Sequence, residues 1–429
     1  MPTDGHASQT WYENTVQRGA LRPALAADVE AEACVIGGGL AGLTTALELA
    51  RRGKRVVLLE AKRLAWAASG RNGGFVSNGF AEGLDGIAAR VGLEGAKALF
   101  ELSRFGTEYI RREIAETDPS IKMGDGWIGA RRYECSDKLA AHRDRLERVY
   151  GEVRQVLSIE ETRARLNSTW YFQSLYDPSA FHMHPLRYAL MIAEKAEKAG
   201  AQLFENMVAL EVAGSPGKWV VRTEGGQVRA RHVVHTVASL DRSIHPPTGR
   251  AVLPVATYVA VTEPLRQEAI RTGSAASDSR RAGNYFRLVG DGRILWGGAI
   301  TTRVAEPTRL AERMKGDMQS VFPQLGNPRI EFAWSGLMAY ALHKMPLIGG
   351  DGDGRWWAMG FGGHGMNTTA MAGLLMARAI ADGDDEYRRF LPFGPQWVGG
   401  PLGRMGVQAS YWWMQFRDRL DEAKSRRRR

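Results

Sequence analysis

The clearest chemical signal in the chain is a set of three glycines, Gly37, Gly39 and Gly42, spaced G-x-G-x-x-G, with one acid, Glu60, eighteen residues beyond the last. Each glycine has a mechanical task in such a turn. The first permits the reversal, the second lets backbone approach a pyrophosphate, and the third lets a helix pack close to a strand. Leu40 and Ala41 sit inside the turn, ahead of a helix whose N-terminal N–H groups face the anion. A carboxylate at position 60 accepts hydrogen bonds from ribose hydroxyls and repels a 2′-phosphate, so the pattern points to a dinucleotide other than NADP. The competing reading is a glycine-rich turn that packs tightly and binds nothing.

A second glycine-rich run, Ser69-Gly70-Arg71-Asn72-Gly73-Gly74, follows Glu60 closely. Small residues let such a loop run beside a flat ring, and Arg71 and Asn72 add donors. A third, Gly360 to Asn367, precedes an apolar helix expected to begin at about Thr368. His182 and His184 have a metal-like i,i+2 spacing, but no cluster of further ligands lies near them in sequence, so structural histidines are the preferred reading and no metal is expected. Nothing in the chain has the arrangement of a side-chain nucleophile with its base.

These residues need elements to hold them. Ala33 to Ile36 form an apolar strand, Leu43 to Arg52 carry helical spacing, and Arg55 to Glu60 form a second buried strand. This is a βαβ opening. Pro185 opens a later helix that Gly200 stops. Strands and turns follow to about residue 239, and Gly290-Asp291-Gly292 turns a hairpin. Residues 1–30 read as an irregular lead-in, and there is no internal repeat.

At 429 residues, with 44% hydrophobic and 24% charged residues, the chain is globular and large enough for two or three domains. Two cysteines, Cys34 and Cys135, exclude a disulfide framework and a cysteine zinc site, and fit a cytoplasmic location. The first residues lack the pattern of a secretory signal, and no apolar run is long enough to span a bilayer. The net charge of +10 includes the closing run Arg426 to Arg429, expected to fray outside the core. No nucleic-acid motif accompanies that charge. With Trp412 and Trp413, the tail admits weak peripheral contact with an anionic membrane.

The stretch LAWAASGRNGG at 64–74 resembles the GASGRNGG segment of FAD-dependent amine and amino-acid oxidases of the D-amino-acid-oxidase superfamily. The likeness continues through HVVHTVAS at 232–239, TEPL at 262–265, YFRLVGDGRILWGG at 285–298, WSGLMAYALHKMPLIGG at 334–350 and GFGGHGMN at 360–367. Its order and spacing look like the gamma-glutamylputrescine oxidase-like subgroup. The resemblance implies an α/β fold in which a discontinuous Rossmann-type FAD domain (1–84, 176–240 and 333–392) interleaves with an antiparallel-sheet α+β substrate domain (85–175 and 241–332). Residues 393–429 form a C-terminal extension with the basic tail.

Carried onto this sequence, the resemblance places Gly37, Gly39, Leu40, Ala41, Gly42, Glu60, Ala61 and Lys62 against the ADP half of FAD, with Val208 beside adenine and Thr236 near the turn. Ser69, Gly70, Arg71, Asn72, Gly73 and Gly74 approach the pyrophosphate and ring, and Gly362, Gly363, His364, Gly365 and Met366 the pyrimidine edge. FAD is expected to be non-covalent, because the segment GLMAYALHKM lacks the linking cysteine of sarcosine-oxidase relatives and no histidine lies between Glu60 and Gly74. The implied reaction oxidises an amine C–N bond to an imine that water hydrolyses to an aldehyde, with O2 or another acceptor reoxidising the flavin. Trp66, Tyr258, Tyr285, Trp334 and His364 are candidates for the substrate pocket, and for each aromatic residue alone ordinary packing also serves. Arg287 is the candidate cation for a substrate carboxylate, with a domain-interface ion pair as the rival. Rival functions are a secondary amino-acid oxidase or dehydrogenase of pipecolate or sarcosine type, a non-catalytic flavin-binding subunit of a larger dehydrogenase, and a polyanion-binding module.

Overall fold

The computed structural model describes residues 9–238, 243–280 and 283–426. Ser239 and the last three residues of the basic run, Arg427 to Arg429, lie outside the described residues. Two sheets organise the chain. In the first, Val29–Ile36 lies at the centre, paired in parallel with Val56–Leu59 on one side and Gln227–His235 on the other. Gln202–Phe204 extends it at one end, Arg355–Met359 and Leu347–Gly350 at the other. A parallel sheet must be covered on both faces. Helices Leu40–Arg51, Pro185–Lys198 and Gly365–Asp382 pack together over one face, and the antiparallel pair Glu211–Ser215 and Lys218–Arg222 brings Trp219 and Val221 to the other.

The second sheet is mainly antiparallel and runs Ile330–Tyr340, Leu253–Thr262, Arg293–Thr301, Tyr285–Val289, Ala275–Asp278, Lys122–Ala130, Ser174–Met183 and Phe75–Val76. One face buries Phe286 and Trp296 against Met314 and Met318 of the helix Leu310–Val321. The other face turns towards the first unit.

The Rossmann-type sheet with a second, antiparallel-sheet unit matches the expected fold class, but the expected borders differ from the sheets. Strands Ser174–Met183 and Ile330–Tyr340 run across the expected borders at 176 and 333, and both belong to the second sheet, as does Phe75–Val76. Helix Leu84–Thr117, expected with the second unit, packs on Gly365–Asp382; a Cβ at Gly106 would lie 2.2 Å from the Asn367 carbonyl oxygen. A strand that leaves one sheet for another carries no local turn signal, so spacing alone misplaces the border. Two helices also start earlier than expected, at Leu40 and at Gly365. Within the described part of the lead-in, Thr10 caps a short helix, Trp11–Asn14, and Trp11 and Tyr12 are buried. No helix among the described residues is long and apolar enough to cross a membrane.

Candidate active site

The glycine turn is sterically obligatory. A Cβ at Gly42 would lie 2.0 Å from the Gly37 carbonyl oxygen, and one at Gly37, whose φ is +109°, would lie 2.9 Å from the Thr236 carbonyl oxygen. Gly39 stands at the N-cap of Leu40–Arg51 and makes no side-chain cap bond, and the Leu40 N–H donates to Ser69 Oγ at 2.9 Å. The first N–H groups of that helix therefore open beside the Ser69 loop. Glu60 accepts the Gly38 N–H at 2.7 Å and the Lys62 N–H at 2.8 Å. Burial pushes its carboxyl above the usual range against the pull of those two donors. Each oxygen keeps a lone pair for a further donor. The Asn206 and Met207 N–H groups bond the Lys62 and Glu60 carbonyls, which ties the segment before Val208, itself 38% exposed, to the segment that holds Ala61.

Ala68–Arg71 make one helical turn, and the Asn72 side chain ties the loop to itself. Its Nδ2 donates to the Ala68 and Ser69 carbonyls at 3.0 Å, and its Oδ1 accepts the Gly74 N–H at 2.8 Å. Arg71 is buried, with Nε reaching the Trp66 carbonyl at 3.2 Å. Behind the loop lies Arg287, fully buried. Its Nε donates to the Gly73 carbonyl at 2.7 Å, Nη2 to the Met183 carbonyl and Tyr12 Oη, and Nη1 bonds His182 Nδ1 and Met123 Sδ. This guanidinium fixes the Gly73–Gly74 backbone, so the expected carboxylate contact at Arg287 is corrected: its donors are spent beneath the loop.

At the far end, Gly360 to Gly365 lead into Gly365–Asp382, whose N-cap His364 makes no side-chain cap bond. His364 Nε2 lies 3.1 Å from the Ser77 carbonyl, and burial lowers its pKa, so the ring is neutral near neutral pH. The Gly363 N–H donates to Tyr340 Oη at 2.8 Å, and a Cβ at Gly362 would lie 2.5 Å from the Tyr340 ring.

The start of helix Leu40–Arg51, the Ser69 loop and the run Gly360 to Met366 border one cavity of about 430 Å³, whose wall does not include Gly37, Gly42, Glu60, Ala61, Lys62, Gly70 or Val208; the volume is within the range of small-molecule and cofactor sites. Its wall carries Gly39 to Ala41 of the glycine turn, Ser69, Arg71 to Gly74, Thr236 and Gly360 to Met366 on one side. On the other side the second sheet supplies aromatic and polar side chains. Phe75 stands 5.4 Å from Tyr285 edge-on and 5.7 Å from Trp127, ring centre to ring centre. Burial raises the Tyr285 hydroxyl above the usual tyrosine value, so it stays protonated. Arg280 and Asn284 share this wall with Asp278, which pairs with Arg132 at 2.9 Å.

Of the substrate candidates, Tyr285 and His364 are on the cavity wall. Tyr258, Trp334, Trp66 and Arg287 are not, and these four are corrected. Side chains alternate across a strand. Thr257 faces the cavity, so Tyr258 points to the opposite core, with its hydroxyl on the Ala305 carbonyl at 3.1 Å. Trp334 shares the face of Gly336, Met338 and Tyr340 but is sealed beneath Arg71, donating Nε1–H to its carbonyl at 2.9 Å. Trp66 lies under Lys62, whose Nζ is 5.3 Å from its ring. Sequence reasoning missed Tyr12, Trp127, Arg280, Asn284 and Tyr340; strand parity with Trp334 on Ile330–Tyr340 was the signal for the last. His182 and His184 are structural, on the Gly273 carbonyl and Thr15 Oγ1 respectively.

Two helix N-termini without side-chain caps and a glycine-bared turn beside one cavity define the class: a two-domain dinucleotide flavoprotein fold. The family model described as FAD dependent oxidoreductase, DAO, matches residues 32–379, and the chain belongs to that family. It is therefore an FAD-dependent oxidoreductase of amine or amino-acid donors. It is 32% identical to the probable oxidoreductase OrdL of Haemophilus influenzae, covering 88% of this chain and 89% of that protein. It is 29% identical to the gamma-glutamylputrescine oxidoreductase of Escherichia coli, covering 96% and 99%. Among solved structures, glycine oxidase from Geobacillus kaustophilus superposes with a TM-score of 0.72 at 20% identity, covering 86% and 99%. The residues present fit FAD at this cavity.

Proposed function

We propose that the protein oxidises the C–N bond of an amine that carries a carboxylate at a distance from the reacting carbon, a gamma-glutamylputrescine-like substrate, with the product imine hydrolysed to an aldehyde and O2 as final acceptor. The observation that carries this reading is a cavity with one wall of glycine turn, helix N-termini and the buried Arg71, and an opposite wall of aromatic rings that carries a second cation, Arg280. Bound FAD supplies the hydride acceptor. Phe75, Trp127 and Tyr285 form an apolar slot that orients the amine and excludes water, which favours its unprotonated form. His364, neutral and bonded to the Ser77 carbonyl, adds no charge beside the reacting carbon. The N-terminus of Gly365–Asp382 favours negative charge arising at that end.

The carboxylate end belongs to Arg280, held by Glu422 at 3.0 Å on its other side. One relative, the Escherichia coli protein, is named for gamma-glutamylputrescine, which supports the substrate class. FAD is non-covalent in this reading: Cys34 packs under the first sheet and Cys135 caps a distant helix. Acid precipitation then releases the yellow colour into the supernatant, and colour kept in the pellet contradicts it. The cytoplasm is the proposed compartment, in keeping with two free thiols.

Comparing kcat/KM for gamma-glutamylputrescine and putrescine in Arg280→Ala tests the substrate claim. Loss of a paired contact costs about 2 kcal/mol or more, roughly thirtyfold, for the carboxylated amine alone. An equal loss for both amines contradicts the assignment.

A further inference from the structure

The C-terminal helix Gly400–Arg426 has two unlike faces. Its inner face is bonded to the second sheet. Gln408 Oε1 accepts the Thr302 N–H and the Thr301 hydroxyl at 2.9 Å, Arg404 donates to the Thr302 carbonyl at 2.8 Å, and Val407 and Tyr411 pack on Leu253 and Val255. Glu422 pairs with Arg132 at 3.1 Å and Arg280 at 3.0 Å.

The outer face is apolar and exposed. Leu402, Met405, Trp412, Trp413, Phe416 and Leu420 have between 43% and 76% of their surface open. At 3.6 residues per turn these six positions fall within an arc of roughly 100°. Arg417 and Arg419, both exposed, stand just outside the two edges of that arc, and Lys424 is exposed one turn further on. The acids of the same helix are turned away: Asp418 and Glu422 are buried and Asp421 is half-buried. The sequence then ends in Arg426 to Arg429, and the chain as a whole carries +10.

We propose that this face is a membrane-surface anchor, on which the helix lies parallel to an anionic bilayer with the tryptophans at headgroup level. Tryptophan suits that depth because its ring is apolar at one side and hydrogen-bonding at the other. Arginine and lysine at the stripe's edges extend their charged ends to lipid phosphates while their stems stay in the apolar zone. Charge decides between this occupant and a second copy of the chain. Two copies meeting through the stripe bring the Arg417 and Arg419 rows together with no exposed acid of the helix to offset them, whereas an anionic lipid surface complements both rows. The anchor is independent of which amine is oxidised. It also sets the cavity wall at a fixed relation to the bilayer, since Glu422 holds Arg280 and Val407 and Tyr411 share a cluster with Met338 and Tyr340.

The test is co-sedimentation of the flavin-loaded protein with vesicles of phosphatidylcholine alone and of phosphatidylcholine mixed with phosphatidylglycerol. The protein pellets with the mixed vesicles, weakly with the neutral ones, and less as salt rises. The double variant Trp412→Ser, Trp413→Ser partitions about tenfold less while flavin content and turnover in solution are unchanged. Deleting Arg426 to Arg429 weakens the salt-sensitive part alone. No pelleting with mixed vesicles overturns the proposal, as does equal pelleting of the double variant. A dimer seen without lipid by sedimentation velocity and dissolved by the same two substitutions also overturns it and assigns the face to a second copy.

Discussion

Arg287 is a guanidinium with no exposed surface whose partners among the described residues are carbonyls, a phenol, a thioether and an imidazole. Such a charge is tolerated inside only because its donors are satisfied. Burial and this neighbouring charge together hold His182 and His184 down at about 3. Lysine offers three donors on a point charge in place of a planar fork. Arg287→Lys is therefore expected to destabilise by about 3 kcal/mol, through stranded carbonyls, and to lower flavin retention. The preference between carboxylated and simple amines stays unchanged; a selective loss for the carboxylated amine would return the substrate contact to Arg287. A second buried group carries an acid sensitivity. His235, stacked 4.8 Å from His245, has no hydrogen-bond partner for either ring nitrogen among the described residues, and burial lowers it to about 3 from an ordinary 6.5. Between those values the unfolded chain binds more protons than the folded one, so stability is complete above 6.5 and is lost as pH falls towards 3. His235→Phe removes that term. In urea unfolding, the variant gains roughly 2 kcal/mol over the parent on going from about pH 8 to about pH 5. An unchanged difference across that range would mean that His235 is charged in the fold.

At the scale of elements, legibility followed locality. The turn Gly37 to Gly42, the loop Ser69 to Gly74 and Gly360 to Gly365 were readable because each is a glycine cluster within a few residues, although the atoms that a Cβ at Gly37, Gly74 or Gly362 would meet belong to Thr236, Met183 and Tyr340, far away in sequence. Which strand side chains face the cavity was not readable. Tyr258 and Thr257 are adjacent, and only the partner layers decide that threonine meets the cavity and tyrosine the far core. Arg287 and Tyr285 share a strand face, yet one is buried beneath the Gly73 loop and the other stands in the wall, a difference set by residues far away in sequence. The strand pair also yields a prediction. Tyr285 lies opposite Gly297, and a Cβ there would sit 2.0 Å from the Tyr285 ring. Gly297→Ala must displace that ring into the cavity. Turnover efficiency is expected to fall about tenfold or more, the consequence of a misplaced reacting geometry, with FAD content normal. Full activity would show that Tyr285 can move without cost and is no part of the slot.

At the scale of the molecule, the chain passes repeatedly between two sheets, and the cavity lies where the passages converge. The strand Ser174–Met183 leaves the second sheet and His184 caps the helix Pro185–Lys198 of the first, while Ile330–Tyr340 leads from the second sheet to Leu347–Gly350 in the first. Neither sheet alone encloses the site. One supplies the glycine turn and two helix N-termini, and the other the aromatic wall and Arg280. In the proposed function this single cavity holds both flavin and amine. Anaerobic mixing of the purified yellow protein with gamma-glutamylputrescine or putrescine, followed at the visible flavin band, tests it most directly. Bleaching is expected to be rapid and complete with the carboxylated amine and slower with putrescine, and the band to recover when O2 is admitted. A fully flavin-loaded protein whose band no carboxylated amine bleaches would contradict it.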